Sequence, residues 1–429
     1  MNAPVNLDTI VLNQDQENAL NGFVAFLCDP NEHVFVLEGY SGTGKTTLIR
    51  VLMDRLESYI QATKLIWPGY PDYTVQLTAT TNKAAETFGK VTGQEVRTIQ
   101  SFLELKLETD FRTGNKSLVP KRKDNQKCGY LLFVDEASYI DPLLLGYIFS
   151  ETKDCKIVLM GDPAQLLAPK CFAAPAFKAG FKRAMLSETM RQLVNGVPQA
   201  NPITDLATMF RHTINGGEWP QFKPDGHYVQ YMDRSDFEDA IIAEFTRPNW
   251  SYHDSKVLAF TNNCVIAYNN AIRNQVAGDP KLQPGDYAEN NNFISVGTKG
   301  SMMSLKTDQL VYITDIEEDT EHCGVMGNWV TVDYKMRVFH PHDRRDKQKF
   351  ISVNRAAGHW QNVSEAEGWI DLRAVFAQTV NKAQGSTYGT VFIDLDNIAT
   401  CTHGNQIARM MYVGVSRATT RVVLTGDLV

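Results

Sequence analysis

The stretch HVFVLEGYSGTGKTT, residues 33–47, opens with a run of apolar residues and then turns rich in glycine before a lysine and two threonines. The apolar part reads as a buried strand and the residues from about Gly44 onward as a helix. Gly39 and the Gly44-Lys45-Thr46 triplet have the spacing G-x-x-x-x-G-K-T. Placed between a strand and a helix, that spacing makes a phosphate cradle. Glycine lets the backbone curl so that successive N–H groups converge on phosphate oxygens, and the positive end of the following helix adds to the field. Gly39, Gly42, Thr43, Gly44 and Thr47 are the cradle's expected members. Lys45 is expected to reach the β- and γ-phosphates of a nucleoside triphosphate, and Thr46 to bind Mg²⁺.

Working outward, VQLTA (75–79), YLLFVDE (130–136) and KIVLMGD (156–162) read as further strands, with a helix over 82–90. Strands alternating with helices predict a parallel sheet covered on both faces. Phe133-Val134-Asp135-Glu136 ends a hydrophobic strand in two carboxylates. Asp135 is suited to hold the metal and Glu136 to orient or polarise water for in-line attack on the γ-phosphate. Gln165, after a further strand, can sense that phosphate or its water. Arg191 and Arg417 are candidates to neutralise charge on the transferred group.

KVLAFT (256–261), a helix over 263–276, AVFAQT (374–379), TVFIDL (390–395), a helix over 405–417 and RVVLTG (421–426) form a second α/β unit. Residues 286–370 differ in texture. LVYITDIE (310–317) and NWVTVDYKMRVF (328–339) read as antiparallel strands around a turn at CGVMGN, and RRDKQK (344–349) as a solvated loop. Residues 104–127 read as a β-hairpin turning at Gly114-Asn115. Arg97–Lys127 holds eight Lys/Arg and four Asp/Glu, which suits either an ordinary exposed hairpin or a phosphate-facing, strand-separating element.

Composition narrows the class. The 429 residues are 43% hydrophobic and 21% charged, as in a soluble globular chain of several domains. A net charge of −7 excludes a uniformly basic nucleic-acid binder but leaves room for a local basic groove. Seven cysteines, odd in number and without CxxC spacing, point to reduced thiols in a cytoplasm rather than a zinc finger or disulfide framework. No run approaches a membrane span, and the first residues lack the pattern of a signal peptide.

With these pieces in order, the chain resembles superfamily 1 DNA helicases, closest to the 1B branch that includes RecD-like enzymes and the phage Dda helicase. LNQDQENAL (12–20) is similar to the Q motif, EGYSGTGKTT (38–47) to motif I, TATTNKAA (78–85) to motif Ia and TIQSF (98–102) to motif Ib. FVDEAS (133–138), MGDPAQLLAP (160–169) and LSETMRQ (186–192) are similar to motifs II, III and IV. LAFTNNCVIAYNNAIR (258–273) is similar to the segment that follows, and QTVNKAQGST (378–387) and MYVGVSRATTR (411–421) to motifs V and VI. The chain departs from the family in carrying Thr80 where proline is common and Asn381 where histidine is common.

The resemblance implies two tandem RecA-like α/β domains with a small β-hairpin insertion and an SH3-like β insertion. Their expected bounds are 1–103 with 128–190 (1A), 104–127 (1B), 191–285 with 371–429 (2A) and 286–370 (2B). It implies that Gln16 reads adenine, that Gln165 couples to the γ-phosphate and that Arg191 and Arg417 are arginine fingers. Thr81, Asn82, Thr98, Thr261, Asn262, Asn381, Lys382 and Ser386 would lie along single-stranded DNA. The hairpin would be the strand-separating pin, with Leu118 or Phe111 at its tip. The implied activity is ATP-dependent, Mg²⁺-requiring translocation on single-stranded DNA, 5′→3′, with unwinding at single-strand/duplex junctions. Replication, recombination and repair are the implied settings, for a monomer working with single-strand-binding or replication proteins. The rival readings are a translocase that displaces proteins without separating strands, a nucleotide-gated DNA clamp and a P-loop small-molecule kinase.

Overall fold

The computed structural model describes residues 11–109, 116–122, 126–169, 171–188, 193–194, 197–198, 201–298 and 301–428. Arg191, Phe111 and the turn expected at Gly114-Asn115 lie outside the described residues. The chain divides into two compact units, one comprising Met1–Asn201 with Ile214–Gly217 and the other Pro202–Thr213 with Glu218–Val429.

The first unit is built on a six-stranded sheet in the order Lys182–Leu186, Val34–Gly39, Lys156–Gly161, Tyr130–Asp135, Thr74–Ala79, Arg97–Thr98. Every neighbouring pair is parallel. Val34–Gly39 and Lys156–Gly161 are buried along their whole length, as expected of central strands with helices on both faces. The period-2 alternation sorts their side chains. Phe35, Leu37, Leu131, Phe133, Val158 and Met160 pack with Phe23, Phe26, Leu48 and Leu52 of the helices Gln14–Cys28 and Lys45–Ile66. Val34, Val36, Leu132, Val134, Ile157 and Leu159 pack on the other face with Ile99, Phe102, Leu144, Ile148 and Phe177. The buried ammonium of Lys156 donates to the carbonyls of Phe26, Asp29 and Glu32, each at 2.8 Å, and so closes the end of the first helix.

Leu105–Thr109 pairs antiparallel with Lys116–Pro120, giving the expected hairpin. Leu118 is not at its tip. It lies mid-strand opposite Leu107, its side chain rests on the core beside the sheet, and its carbonyl accepts from the Tyr147 hydroxyl at 2.9 Å. An apolar residue within reach of a buried cluster turns inward, so Leu118 anchors the hairpin instead of working at its end.

The second unit has a five-stranded parallel sheet in the order Val229–Tyr231, Ala418–Thr425, Tyr388–Asp394, Ser255–Ala259, Ala377–Thr379. Its core joins Val257, Phe392 and Val423 to Phe237, Phe245, Val265 and Ile272 of the flanking helices. AVFAQT, read as one strand, is two. Leu372–Ala374 belongs to a separate antiparallel sheet and Ala377–Thr379 to the parallel one. The buried Asn269 spans the break, accepting from the N–H groups of Phe376 and Ala377 and donating to the Ala377 carbonyl.

The insertion is an antiparallel sheet in the order Met336–Pro341, Val325–Val332, Leu310–His322, Tyr287–Asn290, Leu372–Ala374, with its own core of Ile294, Val311, Ile313, Val330 and Val338. NWVTVDYKMRVF is broken at Asp333-Tyr334, both at positive φ, and the turn expected over CGVMGN is confined to Cys323-Gly324. RRDKQK is not a loop. It opens the helix Arg344–Ala356, which Asp343 caps by accepting from the Arg345 N–H at 2.8 Å. Phe350 and Ile351 pack this helix on Trp369 and Phe339, two apolar contacts that the surrounding charge conceals from a periodicity reading.

Candidate functional site

The chain turns from Val34–Gly39 into the helix Lys45–Ile66 through a loop with Gly42 at φ 82° and Gly44 at φ 77°. Only glycine takes these left-handed angles without strain. No side chain caps that helix, so its first N–H groups face the loop, as a phosphate cradle requires. Gly39 is needed for a different reason. A Cβ there would stand 2.8 Å from Lys45 Cγ, 3.0 Å from its Cδ and 3.1 Å from Leu186 Cβ. The Lys45 ammonium folds over this glycine, donating to the carbonyls of Gly39 and, at 3.0 Å, of Tyr40. Gly39→Ala should therefore push the lysine out of the cradle. Overpacking of ~1–3 kcal/mol corresponds to weakening of nucleotide binding by roughly 5- to 150-fold, which titration with a fluorescent nucleotide analogue will measure.

Gln16 sits beside this loop with both ends of its amide engaged. Its oxygen accepts from the Asn13 N–H at 3.0 Å, closing a capping box, and its nitrogen reaches the carbonyls of Thr43 at 3.4 Å and Gly44 at 3.3 Å. The glutamine expected to read a base thus braces the phosphate loop as well. Thr43 steadies the loop from within, its hydroxyl donating to the Tyr40 carbonyl at 2.8 Å. Thr46 and Thr47 lie in the first helical turn, Thr46 exposed.

Asp135 ends the strand that pairs with both Thr74–Ala79 and Lys156–Gly161, and Glu136 follows it. Burial pushes the Asp135 carboxyl's pKa up, against the pull of the Glu136 N–H and the Lys45 charge. Asp135 and Thr46 offer hard oxygen donors, the set that suits Mg²⁺ shared with phosphate oxygens. A divalent cation would also keep the desolvated carboxylate ionised. Glu136 takes φ 55° and ψ 45°, a left-handed conformation uncommon outside glycine, and starts the tight turn Ala137–Tyr139. Gly161 makes room for this turn, since a Cβ there would meet the Ala137 nitrogen at 3.0 Å. Gln165 is buried and held by Asp162, whose carboxylate accepts from the Ala164 N–H at 2.9 Å and the Gln165 amide at 3.4 Å.

In the second unit Arg417 closes the helix Gly404–Ser416 and is 6% exposed. Its guanidinium donates to the carbonyls of Val413 and Ser386, each at 3.2 Å, and to the Ser416 hydroxyl at 2.8 Å. It is therefore rigidly aimed, and it is tied to the 378–387 segment through Ser386.

Three of the remaining predicted residues share a pattern. Thr81, Thr98 and Thr261 each cap the N-terminus of a helix that follows a parallel strand, their hydroxyls accepting from the N–H groups of Ala84, Ser101 and Cys264. Thr379 does the same ahead of Asn381 and Lys382. Asn381 is exposed. Asn262 accepts from Arg373 at 2.7 Å, while Lys382 is paired with Asp308 at 2.6 Å and bonded to Asn291.

Two groups of residues match known families. Residues 11–207 match the family described as AAA domain, and residues 374–425 match the UvrD-like helicase C-terminal domain. The second match spans the segments that hold Asn381, Lys382, Ser386 and Arg417, the first those from Gln16 through Gln165. The C-terminal segment is thus similar to that of UvrD-like helicases. No curated protein matches the sequence. Among solved structures, the chain is similar to Pif1 helicase from Candida albicans, at 18% identity and a TM-score of 0.48 over 98% of this chain and 96% of that one. It is also similar to Pif1 from Bacteroides in complex with ADP-AlF3 and ssDNA, at 14% identity and a TM-score of 0.47 over 98% and 93% of the two chains.

Several residues that shape the candidate site carry no sequence signal. Asn397 accepts from the N–H groups of Phe260 and Thr261, at 2.8 and 2.9 Å, and donates to the Thr261 hydroxyl at 3.0 Å. Asp394 in turn accepts from the Asn397 N–H and from Arg234 and Tyr268. Burial works against its charge, but those bonds keep the Asp394 carboxyl below the usual range. A depressed carboxylate stabilises the fold above its unfolded pKa, and that contribution is lost as pH falls through the folded value. Arg234→Met removes the main compensating partner, so the acid loss should begin at higher pH. At neutral pH it should cost on the order of 2 kcal/mol, discounted for the half-exposed guanidinium. Denaturant unfolding across pH 3–7 will show both.

Proposed function

We propose that this chain is a helicase that hydrolyses ATP with Mg²⁺ to move along single-stranded DNA in the 5′→3′ direction and to separate duplex ahead of it. The observation that carries the reading is the placing of threonine-capped helix starts at the carboxyl ends of parallel strands in both units, beside a phosphate loop and a strained glutamate in one of them. Strand carboxyl ends are where α/β sheets bind ligands, and capped helix starts suit backbone phosphates, which carry no sequence.

In this reading Lys45 and the loop N–H groups grip the β- and γ-phosphates. Thr46 and Asp135 would hold the metal, whose chemistry is to draw charge from the phosphate oxygens. Glu136 orients water and takes its proton. Gln165, fixed by Asp162, follows the state of the terminal phosphate, and Arg417 neutralises the transferred group. Thr81, Asn82, Thr98, Thr261, Asn262, Asn381, Lys382 and Ser386 line the strand. Loss of the terminal phosphate on hydrolysis changes which state of the protein is favoured, and alternating grip becomes stepping.

Duplexes with a 5′ or a 3′ single-stranded tail test direction and unwinding together. Unwinding from the 5′ tail alone is the expected result. Unwinding from the 3′ tail alone contradicts the polarity, and ATP-driven displacement of a bound protein with no strand separation on either substrate favours the translocase reading.

A further inference from the structure

Thr80 lies one residue beyond the strand Thr74–Ala79 and is 7% exposed. It is bonded to the peptide groups on both sides of Glu136. Its N–H donates to the Asp135 carbonyl at 3.2 Å and its hydroxyl to the Glu136 carbonyl at 3.1 Å. The Glu136 carbonyl also accepts from the Tyr139 N–H at 3.0 Å, so two donors fix one peptide plane. That peptide belongs to a glutamate at φ 55°. A left-handed non-glycine residue costs on the order of 1–3 kcal/mol and persists only where its surroundings over-determine it. Thr80 is the side chain that does so from the neighbouring strand.

The same residue faces the other way through its carbonyl, which accepts from the Gln100 amide at 3.3 Å. Gln100 lies in the short helix Ile99–Phe102 that Thr98 caps, and Thr98 pairs across the sheet with Ala79. The next residue after Thr80 is Thr81, the cap of the helix Asn82–Thr92. One hydrogen-bonded path thus runs from two helix starts read as nucleic-acid contacts to the peptide of the glutamate read as water-activating. A proline at position 80 would supply neither donor.

We infer that Thr80 is a positioning residue that sets the aim of Glu136 and, through Gln100, makes that aim respond to the strand bound at Thr81 and Thr98. The inference rests on the assignment of Glu136 to catalysis. It differs from a packing role in being carried by a hydroxyl that valine, of the same shape, lacks.

The test is the steady-state ATPase of Thr80→Val, Thr80→Ser, Gln100→Leu and the Thr80→Val/Gln100→Leu double variant, with and without oligo-dT, beside thermal unfolding of each. Thr80→Val should lower the DNA-stimulated kcat by roughly 3- to 10-fold, the worth of one hydrogen bond, with KM for ATP unchanged. Thr80→Ser should keep the rate within about twofold, and the double variant should fall no further than Thr80→Val, because both changes cut one path. A Thr80→Val enzyme with wild-type kcat, a Thr80→Ser enzyme as slow as Thr80→Val, or full additivity in the double variant would overturn the inference. Glu136→Gln in the same assay separates the two layers. If it retains full activity, the assignment of Glu136 fails; if it is inactive while Thr80→Val is normal, only the role of Thr80 fails.

Discussion

Arg417→Ala will lower the rate of ATP hydrolysis by ~10³–10⁵-fold, the range supplied by an arginine that neutralises a transferred phosphoryl group, with ATP affinity changed only a few-fold. The side chain is buried, and its fork is fixed by the carbonyls of Val413 and Ser386 and by the Ser416 hydroxyl. Three fixed contacts leave little rotamer freedom to lose when the transition state forms, which is what preorganised charge stabilisation needs. Arg417→Lys should recover little, because an ammonium cannot keep the planar set of bonds. Single-turnover hydrolysis alongside nucleotide binding measures both quantities. An alanine variant that turns over near the normal rate removes Arg417 from the reaction.

Glu136→Gln will cut kcat by ~10²–10⁴-fold, the contribution of a general base. The change preserves side-chain length and leaves the backbone bonds to Thr80 and Tyr139 in place, so KM for ATP should stay close to that of the unaltered enzyme. A glutamine variant with undiminished kcat means that water is activated elsewhere. The contrast with Gly39→Ala is informative, since that change acts on binding through the displaced Lys45 stem.

The parallel sheets were legible in the sequence because their strands are continuous apolar runs, and continuous runs arise only where both faces are covered. HVFVLE, YLLFVDE and KIVLMGD each fall within one or two residues of the observed strands. The phosphate loop was legible because glycines at left-handed angles cannot readily be replaced. The insertion was harder to read. The helix Arg344–Ala356 is dense in charge and touches its neighbours through few apolar residues, so its periodicity is faint. The break at Val375-Phe376 depends on Asn269, more than a hundred residues earlier, and no local pattern carries such a partner. Leu118 illustrates the same limit: as an apolar residue in a polar hairpin it can be a working tip or an anchor, and only the cluster beneath it decides. At the candidate site, the residue types suited to phosphate chemistry stood out in the sequence, while Gln100, Asn397 and Arg373, which bond to Thr80, Thr261 and Asn262, carry no spacing of their own.

The most direct test of the whole account is the ATP hydrolysis rate of the purified protein with Mg²⁺, measured without nucleic acid and then with increasing single-stranded DNA. The account predicts a low basal rate that rises many-fold and saturates, and that disappears in Glu136→Gln. A rate that is indifferent to single-stranded DNA at every concentration, from a protein shown to bind both ATP and DNA, would contradict it.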